Sequence, residues 1–339
     1  MPAWKQTTNR TWAADLLLEL GRSYQGAAVF AAAAELDLFG VLAHGALTAQ
    51  AVARRLRCNL RGLVILLDAL VALRLLKKRG SRYALPAGLA AFLAAEGEQS
   101  ILAMAQHQAN CLRKWAQLAN VVRTGRPAKR LPGVRSPIED AAAFIGAMHN
   151  ISAPVANEVI RAVPPRHFTH LLDLGGASGT WTMAFLRACP AATATLFDLP
   201  HVIPMARRRL AAAGMNKRVR LVPGDFMTDP LPRGADLAWV SAIAHQNSRA
   251  ENRALFTKVF KALMPGGRIA IRDILMDPTR TQPVAGALFA VNMLVATEGG
   301  GTFTFGELRE DLAAAGFIRA RVVRRDATMH CIVVAKKPK

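Results

Sequence analysis

Residues Leu171–Trp181 read Leu-Leu-Asp-Leu-Gly-Gly-Ala-Ser-Gly-Thr-Trp. A short apolar run closes on Asp173, a glycine-rich turn follows (Gly175-Gly176-Ala177-Ser178-Gly179), and a helical pattern begins at once. Glycines let the backbone turn tightly and come close to a ligand. The spacing is not the GxGxxG of dinucleotide folds, because Ala177 and Thr180 stand at the other two places. Asp173, just before the turn, is instead placed to meet an ammonium group. Taken alone, the stretch is also what an ordinary strand-to-helix turn looks like.

Working outward, short apolar runs alternate with longer helical ones: ATATLFDLP, VIPMARRRLAAAG, RVRLVPGD, ADLAWVSAI, ENRALFTKVFKALMPGG and RIAIRDILM. That alternation predicts a doubly wound, mostly parallel α/β sheet. Asp198, followed by Leu199, closes the second strand, where an acidic residue accepts hydrogen bonds from ribose hydroxyls. Asp225 and Phe226, in GDFM, are predicted to close the third. There a carboxylate can hold an adenine amino group and an aromatic ring can cover the base. Each acidic residue alone could be a turn cap. Three of them on one edge of a parallel sheet point to one ligand outside its carboxyl ends.

Upstream the pattern is helical. TWAADLLLELG is predicted to stop at Gly21, and a second helix covers Tyr24–Leu36. Thr48 is a candidate N-cap for AQAVARRLR, and a break at Cys58-Asn59 leads into RGLVILLDALVALRLL. KKRGSRYAL, with Gly80 at its turn, reads as a hairpin. Helix, turn, helix and hairpin make the layout of a winged helix. Residues 124–137 are rich in Pro and Gly and read as a linker, followed by one helix over Ile138–Val163. The predicted domains are therefore 1–123, 124–165 and 166–339.

The 339 residues carry 44 Lys and Arg against 23 Asp and Glu, a formal net charge of +21. The excess divides almost equally between residues 1–150 and 151–339, so there is no basic arm, and clustering is the mark of a nucleic-acid surface. The composition, 52% hydrophobic and 20% charged, excludes a disordered or collagen-like chain. No run reaches the ~20 uncharged apolar residues of a membrane span, and the N-terminus lacks a signal-peptide layout. Cys58, Cys111, Cys189 and Cys331 are widely spaced and form no CxxC, which suits a reduced, cytoplasmic protein. His107 and His149 belong to no HxxxH or HExxH pattern, so no metal is expected.

LLDLGGASG, FDLP, GDFM and FKALMPGGRIAI closely resemble the class I S-adenosylmethionine-dependent methyltransferases. The winged-helix front half narrows the resemblance to small-molecule O-methyltransferases of the plant caffeic-acid and bacterial polyketide or acetylserotonin type, over roughly residues 15–335. The resemblance implies S-adenosylmethionine as cofactor, held by Asp173, Gly175, Gly176, Gly179, Asp198, Leu199, Asp225, Phe226 and Ser241. It implies a homodimer built through the front half and a small-molecule methyl acceptor, with neither specific nucleic acid nor membrane as partner. His245, in WVSAIAHQNSRAENRALF, stands where the family keeps its catalytic histidine, although the usual His-Asp-Trp string is here His245-Gln246-Asn247. Four residues earlier, where a basic residue is common, stands Ser241.

In the plant enzymes two acidic residues orient that histidine. The apolar pattern puts Arg272 at the first position with Asp273 one step away. A one-residue slip in a strand flips the face, so both registers stay open; Asp273 is taken as the partner. The second position falls on Thr302. By the same resemblance the acceptor pocket has one wall with Phe144, Met148 and His149 and another with Phe289, Asn292 and Met293. Asn292 is the candidate for polar recognition, since a buried amide needs a partner.

Two other classes compete. A regulator could use Arg54, Arg55, Arg57 and Arg61 with the wing residues Lys77, Lys78 and Arg79 on DNA phosphates, but the cofactor-type strand ends would then have no task. A nicotinamide-dependent oxidoreductase lacks the glycine spacing.

Overall fold

The computed structural model describes residues 12–95, 99–165 and 167–339. The chain forms two compact units. One runs to Arg113 and takes in Leu131–Asn150; the other holds Lys114–Arg130 and Ile151–Lys339.

The first unit opens with α1 (Ala14–Arg22), α2 (Tyr24–Glu35), α3 (Leu38–Ala43), β1 (Leu47–Thr48), α4 (Ala49–Leu56) and α5 (Leu60–Ala72). The hairpin β2 (Lys77–Arg79) and β3 (Arg82–Ala84) follows, then α6 (Ala87–Leu93) and α7 (Leu102–Trp115). The strands pair in the order β1-β3-β2, completing the winged helix. Thr48 caps α4, its Oγ1 accepting from Ala51 N at 3.3 Å, and Asn59 caps α5, its Oδ1 accepting from Gly62 N at 3.0 Å. Leu38, Phe39, Leu42, Val52, Leu67 and Leu70 form the core. Gly21 does not end α1, which runs on to Arg22. Helix α8 (Leu118–Thr124) belongs to the second unit, and α9 (Pro137–Ser152) mostly to the first.

The single helix expected over Ile138–Val163 is two, because α10 (Ala156–Ile160) starts only after a break at residues 153–155. Pro154 lies in that break and has no N–H to continue the ladder. The second unit continues with β4 (His170–Leu174), α11 (Thr180–Ala188), β5 (Thr193–Asp198), α12 (Ile203–Ala212), β6 (Val219–Pro223), β7 (Ala235–Ser241), α13 (Arg249–Ala262) and β8 (Leu263–Asp273). Then come β9 (Leu275–Met276), α14 (Val284–Ala296), β10 (Phe303–Thr304), α15 (Phe305–Ala314), β11 (Ile318–Arg324) and β12 (Cys331–Lys336).

Seven strands make one sheet in the order β11-β12-β8-β7-β4-β5-β6. All pairs from β8 to β6 are parallel, while β12 runs antiparallel to β8 and β11. This is the doubly wound sheet that the alternating pattern predicts. The chain order reverses between β4 and β7, so the crevice for a ligand opens at their carboxyl ends. Both faces are covered, one by a core around Phe256, Leu263 and Val333, the other by one around Trp181, Phe185 and Trp239.

Candidate active site

The turn after β4 is built for close approach. Gly175 and Gly179 take φ of 63° and 79°, and Ala177 sits at 48°. A Cβ on Gly175 would lie 2.7 Å from Ile243 Cδ1, and one on Gly176 would lie 2.5 Å from Leu196 Cγ. Beneath the turn Asp173 is buried. Its Oδ2 accepts from Thr182 Oγ1 at 2.5 Å, while Oδ1 is buried with no hydrogen-bond partner. Burial, with the nearby Asp198 adding to it, raises this carboxyl to about 7. The Asp198 carboxylate accepts from Ala177 N and from Leu199 N, each at 2.7 Å, tying β5 to the glycine turn. Burial pushes its pKa up as well. Leu199 is exposed beside it.

Asp225 does not close β6, which ends at Pro223. It lies in the following loop, accepting from Met227 N at 2.8 Å and donating its own N–H to Asp229 Oδ2 at 2.9 Å. Phe226 is half-buried, and its ring lies within 3.8 Å of where a Gly175 side chain would begin. Asp173, Asp198, Phe226 and the glycine turn are thus neighbours.

Ser241 ends β7, but its Oγ accepts from Arg272 Nη1 at 2.8 Å. Arg272 is the residue opposite it on β8 and is almost wholly buried. Its guanidinium stacks 4.6 Å over the Trp181 ring and its Nε donates to His330 Nδ1 at 3.2 Å. Nη2 is buried with no partner, and burial lowers the group to about 10. Because Arg Nε can only donate, His330 Nδ1 carries the lone pair.

Adjacent strand residues point to opposite faces. Asp273 therefore points away from Arg272's partners, toward a short 3₁₀ turn at Ala244–Gln246. There His245 Nδ1 lies 2.9 and 3.0 Å from the Asp273 oxygens, and the His245 backbone N–H donates to Oδ2 at 3.1 Å. Ile274 N donates to the same carboxylate at 2.8 Å. Of the two residues, Asp273 reaches His245, and Arg272 reaches Ser241 and His330 instead. A carboxylate on Nδ1 takes the ring's N–H, so the lone pair sits on Nε2. The Phe289 ring meets the imidazole edge-on at 4.8 Å. The turn is held from behind: Asn252 donates to Ala244 O, and Gly301 N donates to His245 O. Thr302 is buried and supplies no second carboxylate; its carbonyl accepts from Arg280 Nη1 at 3.0 Å.

Of the residues expected at the acceptor, Phe144, Met148 and His149 lie on α9. Phe144 is exposed, its ring 5.2 Å from that of His107, and the other two are half-buried. Phe289, Asn292 and Met293 lie on α14, where Met293 is buried. The Asn292 amide is already engaged, its Oδ1 accepting from Trp115 Nε1 at 2.9 Å. Nothing in the sequence pattern marks Trp115 or the Arg272–Trp181 pair. Among the described residues no group of three or more His, Cys, Asp or Glu could hold a metal ion.

The sheet order, the glycine turn and the buried His–Asp pair define a class I methyltransferase. Residues 115–318 match the O-methyltransferase domain family, and residues 18–94 the O-methyltransferase dimerisation domain. A 3-hydroxy-5-methyl-1-naphthoate 3-O-methyltransferase of Streptomyces sahachiroi is 33% identical, with 91% of each chain covered. The tetracenomycin polyketide synthesis 8-O-methyl transferase of Streptomyces glaucescens is 31% identical, covering 95% of this chain and 96% of that one. The crystal structure of human N-acetylserotonin methyltransferase in complex with S-adenosylmethionine is similar at 26% identity with a TM-score of 0.82, covering 98% of this chain and all of the other. The chain belongs to the O-methyltransferase family, and it is an S-adenosylmethionine-dependent enzyme.

Proposed function

We propose that His245 is the general base of this O-methyltransferase and that its acceptor is the hydroxyl of a small aromatic or polyketide-like molecule. The observation that carries this is the buried Asp273 carboxylate on His245 Nδ1. It leaves Nε2 as a proton acceptor and stabilises the imidazolium formed when the acceptor hydroxyl gives up its proton. The relatives named above, one acting on a naphthoate and one in polyketide synthesis, support an acceptor of that kind.

When bound, S-adenosylmethionine supplies an electrophilic methyl group on a sulfonium sulfur. The residues present fit it. The buried, unpartnered Asp173 Oδ1 suits its ammonium group, and the cradle at Gly175, Gly176 and Gly179 gives room that a side chain would fill. Asp198 with Leu199 would take the ribose, and Asp225 with Phe226 the adenine. Ser241 would lie at the adenine edge through its backbone, its hydroxyl being held by Arg272. Phe289, Asn292 and Met293, all on α14 of the second unit, would contact the acceptor.

The dimerisation domain supports pairing of two copies, and we read the winged helix as serving that pairing and not a specific nucleic acid. No described helix is long and apolar enough to cross a membrane. None of the four cysteines is in a disulfide.

The decisive test is His245→Gln. Calorimetry is expected to show unchanged S-adenosylhomocysteine binding while turnover falls ~100- to 10,000-fold. Unchanged turnover would remove His245 from the reaction.

A further inference from the structure

Trp115, the last residue of α7, and Asn292 on α14 are 177 residues apart in sequence and joined by one hydrogen bond of 2.9 Å. An indole N–H can only donate. The Asn292 atom facing it is therefore the carbonyl oxygen, and the amino end of the amide must point elsewhere. Among the described residues Nδ2 donates to no protein acceptor. Asn292 is also the sole polar side chain in α14, which otherwise reads VAGALFAV-MLVA. A half-buried amide in such a helix costs stability unless it has a task. Three residues earlier on the neighbouring row, Phe289 meets the His245 ring. One face of α14 thus runs from the proposed base to the Asn292 amino group over about one helical turn, ~5 Å.

We propose that Trp115 is a positioning residue for acceptor recognition. By holding Asn292 Oδ1 it presents Nδ2–H as a fixed donor, and so selects aromatic alcohols that carry a second, hydrogen-bond-accepting oxygen of carbonyl type beyond the hydroxyl at His245. This rests on the reading of His245 and α14 given under the proposed function. Trp115 acts through Asn292; it need not touch the acceptor.

The probes are 6-acetyl-2-naphthol and 6-ethyl-2-naphthol, similar in shape and differing in the carbonyl. Their affinities for the full chain saturated with S-adenosylhomocysteine are read from naphthol fluorescence, after calorimetry has measured the cofactor product's binding. The wild type is expected to favour the acetyl compound by roughly 10-fold, the worth of one hydrogen bond. Trp115→Phe keeps the ring and removes the N–H; the preference is expected to shrink to within about 2-fold as the amide becomes free to flip. Adding Asn292→Leu should then change the ratio no further.

A merely structural tryptophan would weaken both naphthols alike and leave the ratio intact, which would overturn the proposal, as would a wild-type ratio near one. If Trp115→Phe does not fold, Asn292→Asp decides. It still accepts from Trp115 but has no donor, so it should abolish the preference, and a retained preference refutes the idea. Absence of S-adenosylhomocysteine binding would instead remove the methyltransferase reading, and the proposal with it. Good binding without an acetyl preference removes the proposal alone.

Discussion

Asp273 holds His245 at two points, the ring Nδ1 and the backbone N–H, and is itself held by Ile274 N. The carboxylate thereby sets both the ring's tautomer and the place of the turn that carries it. In Asp273→Asn the amide can offer an N–H to Nδ1, which forces the lone pair there and turns Nε2 into a donor. Turnover is expected to fall ~100- to 10,000-fold, the span of a lost general base, with S-adenosylhomocysteine affinity unchanged. Steady-state kinetics beside calorimetry checks this, and parallel losses in both would show that the turn had collapsed.

Gly176 is the tightest point of the cofactor cradle. A methyl there would meet Leu196 Cγ at 2.5 Å and Asp173 Cγ at 3.1 Å. Leu196 is fully buried in the sheet core and has no room to retreat. Gly176→Ala is expected to cost ~1–3 kcal/mol of stability as overpacking and to weaken S-adenosylhomocysteine binding by at least about tenfold. Calorimetry at full folding separates the two, and wild-type affinity would mean that the turn lies away from the ligand.

Helix α1 has no buried residue and exposes Leu17, Leu18 and Leu20. Such a face on the unit that carries the dimerisation domain calls for a partner. Light scattering at micromolar concentration is expected to give twice the chain mass, and Leu17→Glu combined with Leu20→Glu to shift it toward the monomer. A wild-type monomer would contradict the pairing.

What the sequence discloses is what short spacings encode. The Thr48 cap, the Gly80 turn, the strand–helix alternation and the sites around Gly175 and Asp198 each depend on neighbours a few residues apart. The choice between Arg272 and Asp273 stays open in sequence because one residue of register reverses every side chain on the strand, and only pairing with β7 fixes it. Asp225 lies two residues beyond its strand, whose last paired residue is Pro223 opposite Asp198, and a boundary of one or two residues is not written in the apolar pattern. Trp115–Asn292 and Arg272–Trp181 join residues from distant parts of the chain by single contacts, for which no periodicity exists. The antiparallel β11 and β12 break the alternation that reveals the other strands, having no helix between them.

Asp173 links pH to stability. Its carboxyl is raised to about 7 in the folded chain, against ~3.9 for an unfolded one. Between those values the folded chain keeps a proton that the unfolded chain has lost. Stability therefore falls as pH rises through ~4 to about 7, where the contribution is used up, by at most roughly 4 kcal/mol. Asp173→Asn should flatten that part of the stability–pH curve measured by urea unfolding without cofactor. An ammonium group beside Asp173 favours the carboxylate, so S-adenosylhomocysteine binding at pH 6.5 should release a proton in the wild type and none in the variant. Calorimetry in buffers of different ionisation heat reads this directly, and equal proton release in the two would acquit Asp173.

Arg272 is a buried cation with Nη1 on Ser241, Nε on His330, one face stacked on Trp181 and Nη2 without a partner. Its attraction to Asp273 and Asp326 opposes the desolvation that lowers it to about 10, but does not cancel it. Arginine tolerates this place because its planar, weakly hydrated guanidinium stacks on the indole, whereas a lysine ammonium is compact and strongly hydrated. A methionine carries no charge and makes favourable contacts with aromatic rings, although it leaves Ser241 and His330 without their donor. Replacing a buried ion by a well-packed apolar group is often mild, and a misplaced buried charge is not. Arg272→Met is thus expected to cost ~1–2 kcal/mol and Arg272→Lys about 3 kcal/mol. Both should keep the His245–Asp273 pair on the opposite face, and with it turnover at temperatures where they stay folded. Urea unfolding of the two variants checks the order, and a lysine variant more stable than the methionine one would show that the charge itself, and not the stacked plane, is what this place in the sheet requires.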